Sequence, residues 1–193
     1  MQLSRKSLNA RWAWTSAAAV VVLGVLAFAD ARLRAKTGFG TADLQGVSTG
    51  WGLRQIFDRW TIPPDAALAG FDLGFDYLLM PLYGAALYFG AIAARERFAP
   101  KPGRARRIMA ILAMAPIAAS LCDACENALQ MAMLLGGPSD ALARLTLEAT
   151  TAKFAGISIG LLLSLAALAA LIGAAMSRKK KSEEDGDLKA ISD

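Results

Sequence analysis

Four polar side chains interrupt one long apolar stretch of this chain. Asp123, Glu126, Asn127 and Gln130 lie between Ile108 and Leu135, at positions i, i+3, i+4 and i+7. On a helix that spacing puts all four on one face. The stretch is long and apolar enough to cross a bilayer. Carboxylates inside a membrane span are costly, and they face a bundle interior or a wet cavity. Such a face can hold a proton, a metal cation or a small amphiphile, or it can tie helices together. The rest of the chain must supply its partners.

Two other stretches supply them. The preceding apolar stretch carries Asp72, Asp76 and Tyr83, with Asp76 and Tyr83 seven residues apart on a shared face. Lys153 is the only charge in the last apolar stretch. With alternating span directions, Asp76, Asp123, Glu126, Asn127 and Lys153 fall in one layer of the bundle's outer half, with Tyr83 below it and Gln130 above it. Three carboxylates then face one ammonium. Protonation, a bound cation, a cationic ligand or water would relieve that excess of negative charge.

Other chemistry is narrowed by composition. The chain has no His, which removes the Ser-His-Asp triad, the Cys-His pair and every His-ligated metal site. Its two cysteines form Cys122-Asp-Ala-Cys125, a C-x-x-C inside a span. A reactive C-x-x-C sits at a helix start, whereas this one lies inside a span beside two acids, and there is no second cysteine pair to relay a disulfide. Two small buried residues are therefore expected, with a thiol-redox or amphiphile-processing enzyme as the rival reading. No metal site is expected, and no cofactor is indicated. No nucleic-acid-binding motif accompanies the net charge of +5. The basic residues sit instead beside the apolar runs, where they orient spans.

The elements that must position these groups follow from hydropathy. Of the 193 residues 55% are hydrophobic, and mean hydropathy is +0.41. The pattern predicts an all-α bundle of four transmembrane helices, with spans at about 13–29, 68–94, 108–135 and 150–176. The membrane domain would cover residues 1–176, and residues 177–193 would form a disordered cytoplasmic tail. The first span, with Trp12 and Trp14 as interfacial anchors, is read as a retained helix. Its basic start and Ala27-Phe28-Ala29 also suit a cleaved signal peptide.

Between spans one and two, Gly38, Gly40, Gly46, Gly50 and Gly52 predict a loop. A short amphipathic helix follows over Leu53 to Trp60, with Ile56, Phe57 and Trp60 on one side. It would lie at the membrane interface or cap the bundle. Pro81 and Pro116 are expected kinks. Gly156 and Gly160 form a small-xxx-small pair on the face of Lys153 and Ser164. Basic residues at the amino terminus, in 95–107 and in 178–181 place both termini and the middle loop in the cytoplasm.

Together these residues resemble an uncharacterised group of small bacterial four-span membrane proteins. The likeness rests on Thr37-Gly-Phe-Gly-Thr-Ala-Asp-Leu44, Trp60, Asp76-Tyr-Leu-Leu-Met-Pro-Leu-Tyr-Gly84, Asp123-Ala-Cys-Glu-Asn127 and Lys153-Phe154. The resemblance implies that Asp76, Tyr83, Asp123, Glu126, Asn127 and Lys153 occupy the group's polar positions. It implies no activity. The expected function is non-enzymatic: a multi-pass protein of a bacterial inner membrane, binding a small ligand, amphiphile or cation at the polar layer. A structural or accessory subunit with a membrane-protein partner is the alternative.

Overall fold

In the computed structural model the described residues are 4–60 and 63–192, with side chains as far as Ser177. The expected tail beyond Ser177 lies outside the residues whose side chains are described. Among the described residues every regular element is helical. Four helical units are long and apolar enough to cross a membrane, and they form an all-α four-helix bundle. The chain thus has the build of a multi-pass membrane protein.

Helix α1 covers Arg5–Thr37. The Ser4 hydroxyl caps it by accepting from the Ser7 N–H at 3.2 Å. Its buried positions include Ala19, Val22, Leu26, Ala29 and Leu33, a three-four-three-four rhythm that keeps one stripe against a neighbour. The rhythm carries the helix past the expected span end at Ala29. Gly38 stops it in the left-handed region, at φ 87°, and donates to the Arg34 carbonyl.

The connection that follows is more ordered than a glycine-rich loop. Thr41–Gly46 makes a 3-10 helix. Helix α2, Gly50–Phe57, and a short 3-10 segment, Asp58–Trp60, come next. This helix starts three residues before the expected one. Leu53, Ile56 and Trp60 are buried with Leu33, Leu44, Leu73 and Met133. Fully burying a leucine against water stabilises by roughly 2 kcal/mol, which fastens this cap onto the bundle's end. The Trp60 indole N–H donates to the Phe39 carbonyl, and the Gly50 N–H to Asp140.

Helix α3, Pro63–Phe98, runs through Pro81 without interruption. The third span is instead divided into α4, Arg104–Leu112, and α5, Ala115–Gly136. Pro116 explains the break. It has no N–H to offer the Leu112 carbonyl, and its ring would collide with that group. Helix α6 covers Asp140–Ser192, with Ser139 accepting from the Leu142 N–H as the expected cap.

The helix arrangement makes α3 the hub. It packs along α1, α5 and α6, and α5 packs along α6. Helix α1 leans on α3 and scarcely touches α6. Small residues set the close approaches. A Cβ on Gly156 would lie 2.6 Å from the Ala115 carbonyl oxygen, and one on Gly84 3.1 Å from the Ser120 side chain. Large apolar residues such as Trp14, Val20, Leu121, Leu162 and Leu165 face outward. Such a continuous apolar exterior suits lipid.

Candidate functional site

The expected layer is assembled in the structure. Lys153, on α6, is 3% exposed, and its ammonium donates to Asp123 Oδ1 on α5 at 3.1 Å. The same ammonium lies 2.6 Å from Glu126 Oε2. The Tyr83 hydroxyl, on α3, donates to the other Asp123 oxygen at 3.0 Å. Gln130 donates to Glu126 Oε1 at 3.0 Å, from one turn along α5. Asn127 donates to Asp76 Oδ2 at 2.9 Å and to the Leu73 carbonyl at 3.2 Å.

The local reasons are simple. The polar positions of α5 form a single stripe because they recur with the helical period. That stripe faces α3 on one side and α6 on the other. The glycine and alanine contacts of α5 with α6 let the Lys153 stem lie along the helix junction. The ammonium then stays near both acids in a poorly solvated place, where an ion pair is strong only if every member is matched. Lys153 meets two carboxylates, and Tyr83 and Gln130 supply further donors. This part of the layer is a connected network across three helices.

A second polar group was not singled out by the sequence. Asp30 on α1, Thr41 in the 3-10 helix and Asp72 on α3 come together beneath the cap. The Thr41 hydroxyl lies within hydrogen-bond reach of both Asp30 Oδ1 and Asp72 Oδ2. Asp30 Oδ1 also accepts from the Ala42 N–H at 3.0 Å. Asp72 is 5% exposed, and its Oδ1 has no hydrogen-bond partner. Arg34 stands at the outer rim, 3.0 Å from Asp43 and 3.7 Å from Asp30. Asp30 and Thr41 are separated by eleven positions and a helix end, so no periodicity links them. The signal that could have found them was the stripe of α1, which continues through Leu33 and carries Asp30 inside the bundle.

Both polar groups open onto one cavity of about 720 Å³. Its walls come from α1, α3 and α6, with α5 contributing Asp123, Asn127 and Gln130. Asp30 and Asp72 line it beside Thr41 and Gln45 of the cap, and Asp76, Tyr83 and Lys153 line it further along α3 and α6. Ser16 and the apolar Val20, Leu23, Ile157 and Leu161 are also among its wall residues. Small-molecule sites have volumes of roughly 300–1,000 Å³, with apolar walls and a few converging polar groups. Of the expected site residues, Asp76, Tyr83, Asp123, Asn127 and Lys153 line this space, while Glu126 is wholly buried behind it.

The two cysteines are free, and neither lines the cavity. Cys125 is exposed on α5 and Cys122 is half-buried. Among the described residues no three His, Cys, Asp or Glu side chains are arranged to hold a metal ion. No protein-family model matches the chain, and neither the curated proteins nor the solved structures give a significant match.

Proposed function

We propose that this chain is a multi-pass inner-membrane protein, with both termini cytoplasmic, that binds a small ligand in the cavity between α1, α3 and α6. The observation that carries the reading is one cavity of about 720 Å³ whose mostly apolar wall also carries four carboxylates. Polar contacts that only fasten helices need no such space. Asp76, Tyr83 and Asn127 belong to its wall and are the residues of the expected set best placed to touch a ligand. The proposal keeps the likeness to small bacterial four-span proteins, whose polar positions map onto this layer.

Asp123, Glu126 and Lys153 favour a second role. The one ammonium bridges both carboxylates, so the three hold α5 and α6 in register and keep the cavity wall rigid. The two roles divide the layer between them.

Native mass spectrometry of the purified protein tests the ligand reading. Wild type should carry a small-molecule adduct. Ala27→Trp, which fills the cavity from its α1 wall, should lose it. Identical adducts on both proteins would sink the proposal.

A further inference from the structure

Among the described residues that line the cavity, Asp72 is the one with a buried carboxylate oxygen that meets neither a hydrogen-bond donor nor an ammonium. The Lys153 side is closed, since each carboxylate there meets an ammonium, a phenol or an amide. The Asp72 side is not. A threonine hydroxyl carries one proton, yet the Thr41 oxygen stands between two carboxylates. Asp30 has a second donor in the Ala42 N–H. Asp72 has none: the residue lines the cavity, and its buried Oδ1 is left without a partner. An unpaired polar atom is costly in such surroundings, the more so when it is charged.

The shape says what could supply the missing donors. Helix α1 is held to α3, so a gap runs between α1 and α6. Val20 and Leu23 on α1 and Phe154 and Leu161 on α6 line the cavity and are still about half exposed or more. The gap therefore opens sideways toward lipid. From Asp30 to Ser16 the α1 wall extends on the order of 20 Å. It runs from carboxylates to hydrocarbon, which is the polarity of an amphiphile lying along the helices. Four carboxylates line the space against one ammonium, which is already committed. The head must therefore bring positive charge and N–H donors. An ammonium offers three donors in a small volume. Among the described residues no three His, Cys, Asp or Glu side chains are arranged to hold a metal ion, so an organic cation fits better than a metal ion.

We propose that Asp72, backed by Asp30 and Thr41, is the head-group site for a protonated amine on a single apolar tail, admitted from the bilayer between α1 and α6. This rests on the ligand-binding reading above and names its ligand class.

The test uses the full chain in phosphatidylcholine nanodiscs, with thermal unfolding followed as dodecylamine, dodecanol or dodecanoate is added. A ligand that binds only the folded protein raises its unfolding temperature with concentration. Dodecylamine should do so in wild type, and the alcohol and the acid should not. Asp72→Asn keeps the side-chain shape and should weaken the amine about tenfold, the loss expected for a hydrogen bond to a charged group. Leu23→Trp should close the lateral gap and abolish the effect. Should Asp72→Asn fail to fold, Asp30→Asn gives the same reading of the head site. Equal amine affinity in the Asp→Asn variant and wild type overturns the proposal. So does a stronger response to dodecanol or dodecanoate that Leu23→Trp removes, although that result would leave the ligand-binding reading standing. Silence from all three probes, with adducts unchanged in Ala27→Trp, would remove both.

Discussion

The Lys153 ammonium on α6 lies 3.1 Å from Asp123 Oδ1 on α5, with both side chains almost wholly buried. Glu126 shares the same ammonium at 2.6 Å. One positive charge thus stands between two negative ones at the junction of two helices.

Lys153→Met should therefore destabilise strongly, by about 3 kcal/mol or more, because it strands two buried carboxylates. Unfolding of the purified protein in mild detergent measures this. Adding Glu126→Gln to Lys153→Met should recover part of the loss. A change below about 1 kcal/mol in the single variant would mean that the pair is solvated as weakly coupled surface ions are.

Asp72→Asn should behave in the opposite way without ligand. It removes an unpaired buried charge and strands nothing. Stability should be unchanged or higher by about 1 kcal/mol, the scale of relieving an unsatisfied buried group. A large loss in the same unfolding assay would show that Asp72 is held by interactions other than Thr41.

Gly156→Ala should loosen the α5–α6 junction. Its Cβ would sit 2.6 Å from the Ala115 carbonyl oxygen, and that backbone has little freedom to retreat. Overpacking of this kind costs about 1–3 kcal/mol. Gly173→Ala on the same helix is the control, since nothing lies within 4 Å of its added Cβ. It should be neutral or slightly stabilising, as helix propensity favours alanine. Equal effects at the two sites would argue against close α5–α6 packing.

Orientation can be read by thiol labelling of intact cells. The background is Cys122→Ser with Cys125→Ser, which should itself leave stability and ligand binding unchanged. Gly136→Cys should react with an impermeant maleimide from outside. Lys101→Cys, in the basic loop, should react only after the membrane is opened. The reverse pattern would invert the proposed topology.

Much of this arrangement was legible before any tertiary contact was known. Hydropathy determined four spans, because a helix in lipid needs an apolar exterior of about 20 residues whatever its neighbours are. The period of 3.6 determined that Asp123, Glu126, Asn127 and Gln130 share a face. The same period put Lys153, Gly156, Gly160 and Ser164 on one stripe, and all four are buried. Pro116 determined a defect in the third span, since a missing N–H is local chemistry.

Tertiary structure decided the rest. Nothing local says which of two acids an ammonium will choose, and Lys153 meets both Asp123 and Glu126. The third span drew attention because its charges are visible, yet α3 is the helix that packs along α1, α5 and α6. Its advantage is the smallness of residues such as Ala69, Gly84 and Gly90, which matters only when a neighbour approaches. The meeting of Asp30, Thr41 and Asp72 depends on where the cap folds back, and the cavity on α1 standing away from α6. Both are relations between elements far apart in the chain. Periodicity fixes which face a residue occupies, but only packing fixes what that face meets.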